Sequence, residues 1–109
     1  MLSPEELEQF HTQGFLFLKD ALTATQLQRL TEQFDLWKEQ SRSQTAPYGE
    51  TIDGRSRFDI EPGHCAERPA LRRIASPIEI SDVYLEVMRD NRALDAVVDI
   101  FGPNIKFEN

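Results

Sequence analysis

The chain has one cysteine, Cys65, among 109 residues, so no disulfide can form within it. It holds only two histidines, His11 and His64, and has no His-x-Asp, His-x-Glu or Cys-x-x-Cys pair, which removes the usual paired-ligand metal motifs. Its five glycines are scattered, and neither a Walker pattern nor Gly-x-Gly-x-x-Gly is present to cradle a phosphate. No apolar run reaches membrane-spanning length, and no basic stretch leading into an apolar one opens the chain, so the expectation is a cytoplasmic protein without a membrane partner. Basic charge is scarce. Twelve Lys and Arg face nineteen Asp and Glu, and the net charge of −7 argues against nucleic acid as a partner.

At this length a single core is expected, well below the size at which chains divide. The most concentrated apolar stretch is Phe15-Leu16-Phe17-Leu18, introduced by Gly14 and followed by Lys19. An amphipathic helix spaces its apolar residues three and four apart, whereas a short continuous run fits a strand covered on both faces. A sheet of few strands around Phe15 to Leu18 is therefore expected, with one apolar face under-covered.

Around this run the chain carries helix punctuation. Ser3-Pro4-Glu5-Glu6 combines a capping serine, a first-turn proline and the glutamate of a capping box, and Gly14 supplies a left-handed stop, which predicts a helix over 4–13 with Leu7, Phe10 and His11 on its inner face. Thr23 or Thr25 can cap a second helix over 24–40, in which Leu27, Leu30, Phe34 and Trp37 recur at helical spacing as a core seam. Residues 39–57, poor in apolar side chains, read as a long surface loop. A short strand is expected near 56–60, between the Asp53-Gly54 turn and the Pro62-Gly63 break. Leu71 to Ile74 fits a short strand or a helical turn, and so few residues do not decide. Two more helices are expected over 82–90 and 92–101, with Asn91 capping the second, Leu94, Val97, Val98 and Phe101 facing inward, and Gly102-Pro103 closing it. Ile105 to Glu108 alternates as a strand does.

The candidates for chemistry are few. His64-Cys65 follows the Pro62-Gly63 break and could present an imidazole and a thiol together, but no third ligand or orienting group accompanies them, so no catalytic or metal residue is assigned there. His11 reads as a packing or hydrogen-bonded residue. Arg55, Arg57, Arg68, Arg72 and Arg73 gather in the middle of an acidic chain; they could grip an anionic group, although pairing with neighbouring acids is the more ordinary use.

Taken in order, Leu2-Ser3-Pro4-Glu5-Glu6 with Phe10, then His11 through Lys19, then the long helix through Leu27, Leu30 and Trp37, and finally Asp90 through Ile105, the chain resembles the N-terminal part of the phytanoyl-CoA dioxygenase family. The resemblance implies an α+β fold made of flanking helices and the first strands of an incomplete double-stranded β-helix, a jelly-roll of the cupin-like kind, with residues 1–109 a single partial domain. It implies a non-haem oxygenase that uses Fe(II) and 2-oxoglutarate to hydroxylate a small organic or acyl substrate. The family's His-x-Asp pair, distal histidine and 2-oxoglutarate arginine would lie beyond Asn109, so no catalytic, cofactor-binding or metal residue is carried over, and this chain alone is expected to be inactive and to bind neither cofactor. The other expectation, independent of the family, is a self-contained small α+β interaction protein that uses Tyr84, Phe107 or a similar apolar group to hold a partner.

Overall fold

In a computed structural model, which describes residues 2–106, the chain is a mixed α+β structure. Helix α1 (Pro4–Gln13) and helix α2 (Ala24–Ser41) come first, followed by strands β1 (Tyr48–Glu50), β2 (Ser56–Ile60) and β3 (Leu71–Ile74). A 3-10 turn at Pro77–Glu79 then leads into helices α3 (Asp82–Arg89) and α4 (Arg92–Phe101). No helix among the described residues is long and apolar enough to cross a membrane.

Each helix begins where its capping chemistry dictates. Ser3 Oγ accepts the Glu6 N–H while the Glu6 carboxylate accepts the Ser3 N–H, and Thr23 and Gln26 repeat the reciprocal arrangement at α2. Gly14 ends α1 in the left-handed conformation (φ 79°). Asn91 serves two helices: its Oδ1 accepts the Leu94 N–H at the start of α4, and its Nδ2 donates to the Val87 and Met88 carbonyls at the end of α3. Gly102 closes α4 with positive φ but an extended ψ (89°, 175°), a conformation open essentially to glycine and distinct from the left-handed one of Gly14.

The sheet lies elsewhere than expected. Its three strands run antiparallel in the order β1-β2-β3, all from residues 48–74. Residues 15–18 form no strand. Connections over 51–55 and 61–70 let 48–74 pair locally, whereas Phe15 to Leu18 is flanked by helices on both sides and has, among the described residues, no adjacent strand with which to share a ladder. The stretch 39–57 is likewise not one loop, since it contains the last turn of α2, all of β1 and the start of β2. Leu71 to Ile74 resolves to a strand. Ile105 and Lys106 belong to no strand, and the remainder of that expected strand, with Phe107, lies outside the described residues.

A buried arginine joins the sheet to the Pro77–Glu79 turn. Arg57 in β2, 5% exposed, donates to the carbonyls of Glu50, Ala75 and Ser76 and forms an ion pair with Glu79 at 2.8 Å. Glu79 in turn accepts the Ile52 N–H. Both charges are thus paired and hydrogen-bonded, the condition under which burying them is tolerable. Gly49 is the matching requirement in β1: a Cβ there would stand 2.9 Å from Arg57 Cβ, on backbone with φ +72°.

Apolar burial is thin by comparison. The buried apolar side chains are Leu2, Trp37, Phe58, Ala75, Val87 and Ala96. Of the expected α2 seam only Trp37 is buried, with Leu27 57% and Phe34 38% exposed; in α4, Val97 and Phe101 are exposed and Ala96 takes the inner position. The molecule measures 50 × 29 × 26 Å with a radius of gyration of 17.2 Å, against about 13 Å for a compact domain of this length. Its accessible surface of 7902 Å² likewise exceeds the roughly 6,200 Å² expected for its mass.

Polar ties carry the first and last helices instead. The Leu2 N–H donates to Asp99 at 2.6 Å, and Arg92 donates to Glu6 and to the Lys19 carbonyl. The Ser3 N–H, and after it the Arg92 guanidinium, hold the Glu6 carboxyl below the usual carboxylate range.

Arg57→Ala, which leaves the Glu79 carboxylate without its cation and takes the guanidinium donors from the Glu50, Ala75 and Ser76 carbonyls, is expected to lose about 3–5 kcal/mol in urea unfolding followed by Trp37 fluorescence. Because the folded pKa of Glu6 is depressed, its contribution is full above the ordinary carboxylate value and is lost as pH falls through the folded one. The melting temperature should accordingly drop between about pH 5 and pH 3, and Glu6→Gln should make that drop smaller than in the parent.

Candidate functional site

The loop after β2 brings together both residues that the sequence singles out for chemistry, and it employs one of them as a staple. Half-buried His64 accepts the Ala70 N–H at Nδ1 (2.8 Å), so the proton resides on Nε2, which faces the Ser41 carbonyl at 2.9 Å and donates to it. Both ring nitrogens are thereby engaged in tying the 61–70 loop to the end of α2. Arg42 adds a second tie by donating to the Ala66 carbonyl. Cys65 is exposed, and its backbone pairs with Arg68. Among the described residues, no three His, Cys, Asp or Glu side chains are grouped so as to hold a metal ion.

His11 is not on an inner face. It is exposed, its ring standing edge-on to Phe10 at 5.7 Å.

The arginine group divides into paired and unpaired members. Arg57 holds Glu79, Arg55 holds Asp53 and Arg73 holds Asp59. Thr51, and after it Arg55, keep the Asp53 carboxyl below its ordinary value. Arg72 and Arg68 pair with no acid among the described residues. Arg72 owes its position to a β-bulge: Ile60 pairs with Leu71 and Asp59 with Arg73, which leaves Arg72 as the extra residue of β3.

An aromatic cluster lies beside that bulge. Trp37 packs edge-on to Phe58 (6.0 Å) and tilted against Tyr84 (5.2 Å), and Phe58 stacks on Tyr48 at 4.7 Å. Burial raises the Tyr48 and Tyr84 phenols above their ordinary pKa. The Tyr48 hydroxyl is enclosed without a hydrogen-bond partner among the described residues. Between this cluster and β3 opens a cleft of about 240 Å³, lined by Phe34, Trp37, Tyr84, Pro77 and all four residues of β3. The sequence showed its parts, a tryptophan on an apolar helix face and a pair of adjacent arginines. What it did not show was the bulge that sets them beside one another.

His64→Ala, which orphans the Ala70 N–H and leaves the Ser41 carbonyl with the Gln44 N–H alone, should cost about 1–3 kcal/mol of unfolding free energy. Zinc and iron affinity measured by calorimetry should be the same in a His64→Ala, Cys65→Ala double variant as in the parent.

Compared with family models, with curated proteins and with solved structures, the chain matches none.

Proposed function

We propose that the chain serves as the leading segment of an Fe(II)- and 2-oxoglutarate-dependent dioxygenase resembling the phytanoyl-CoA dioxygenase family, the intact protein hydroxylating a small organic or acyl substrate. The order of its capped helices supports this reading, but the observation that carries it is the uncovered apolar surface. Phe15 and Phe17 stand 50% and 79% exposed, edge to face at 5.6 Å, and Leu27, Leu36, Val97 and Phe101 are exposed as well. A further apolar groove runs between Met88, Leu94, Val97 and Ile105. Helical faces and an extended apolar segment left open in this way are what the supporting layer of a larger sheet would present to it. In that arrangement the helices buttress the sheet, and the metal and cosubstrate ligands come from outside these residues.

A second reading, a self-contained interaction protein without catalytic activity, draws on a different observation: the Arg57 clamp and the reciprocal helix caps satisfy much of the polar demand within the chain itself. The two readings part on behaviour in solution. The oxygenase segment is expected to form no succinate from 2-oxoglutarate when given Fe(II) and oxygen, and to bind an apolar-surface dye strongly. Robust turnover by the purified chain would overturn that reading, and a cooperatively melting monomer that binds no dye would favour the second.

A further inference from the structure

The cleft beside β3 combines an aromatic lining with an arginine, Arg72, that pairs with no acid among the described residues. In a chain with nineteen acidic residues an arginine readily finds a carboxylate, and Arg55, Arg57 and Arg73 all do. Arg72 finds none among the described residues, although it lines the cleft together with Phe34, Trp37 and Tyr84. Consecutive strand residues ordinarily point to opposite faces, and the bulge suspends that alternation at the position where Arg72 borders the aromatic walls.

We propose that this cleft is a binding site for an aryl carboxylate, its ring lying against Phe34, Trp37 and Tyr84 and its carboxylate held by Arg72. Charge complementarity selects the anion: a net charge of −7 disfavours anions in general, and Arg72, paired with no acid among the described residues, offers one a partner. The planar guanidinium matches a carboxylate with two parallel hydrogen bonds. A phosphate would call for further donors, and the neighbouring Arg73 is already engaged by Asp59 at 2.6 Å. The walls select a flat apolar body, since aromatic rings pack favourably when offset or edge-on. Size narrows the choice further, because 240 Å³ falls below the range of about 300–1,000 Å³ that holds drug-sized ligands, which leaves room for one or two rings. The inference rests on the cleft alone and stands whether or not the oxygenase reading holds.

The test uses the full chain and 2-naphthoate, with 2-naphthylmethanol as the neutral counterpart and 2-naphthyl phosphate as the alternative anion. Trp37 is the single tryptophan, so its indole N–H resonance reports on the cleft directly. Saturable shifts of that resonance with 2-naphthoate are expected, with affinity about tenfold weaker for the alcohol and about tenfold weaker in Arg72→Gln, the loss expected when one charge-assisted contact is removed. Phe34→Ala, a change at a partly exposed position, should also weaken binding without altering the far-ultraviolet dichroism. Equal affinity for acid and alcohol, equal affinity in the parent and Arg72→Gln, tighter binding of the phosphate, or shifts that never saturate would each overturn the proposal.

Discussion

The four acceptors around the Arg57 guanidinium hold this structure's sheet to its surroundings. The apolar core is small, so the chain cannot rely on buried area to position β1, the end of β3 and the Pro77–Glu79 turn relative to one another. A single cation collects carbonyls from two of these and the carboxylate of the third. Ion pairs of this kind contribute little net stability but make alternative arrangements expensive, because every rearrangement would leave a desolvated charge. Here that means specificity of geometry in a fold whose packing would otherwise permit several.

The cleft depends on this clamp. Ala75 and Ser76, whose carbonyls Arg57 binds, fix the exit of β3, and Ser76 adopts positive φ (47°) as the chain turns. Pro77 is thereby placed against the cleft, and Ser81, bonded to Gln33 at 3.1 Å, starts α3 so that Tyr84 meets Trp37. A site formed at the meeting of three elements depends on each of these local fixings.

The sequence made some of this legible and concealed the rest for identifiable reasons. The four helices could be read because their ends are written locally: Ser3 with Glu6, Thr23 with Gln26, Asn91 with Leu94, and glycines at 14 and 102. The strand over 56–60 was legible from its flanking turns. What misled was burial. Phe15 to Leu18, Leu27, Phe34 and Phe101 satisfy the patterns of covered residues, but pattern records what a residue would gain from cover and not whether a neighbour supplies it. Strand β1, with Gly49 and Glu50, carries no strand signature, since its place is determined by Arg57 reaching across from β2. The roles of Arg57 and His64 depend in part on the Ala75, Ser76 and Ser41 carbonyls, 18 to 23 residues away and beyond the reach of any local pattern.

Asn91 has a mechanical consequence. With its carbonyl oxygen spent on α4 and its amide on α3, one short side chain fixes the angle between two helices that share little buried surface. Such a joint behaves as a pinned elbow. The direction in which α4 turns its exposed Val97 and Phe101 is set by that pin together with the ties of Arg92 to Glu6 and of Asp99 to Leu2, so re-aiming this face requires release of the Asn91 amide as well as of those contacts.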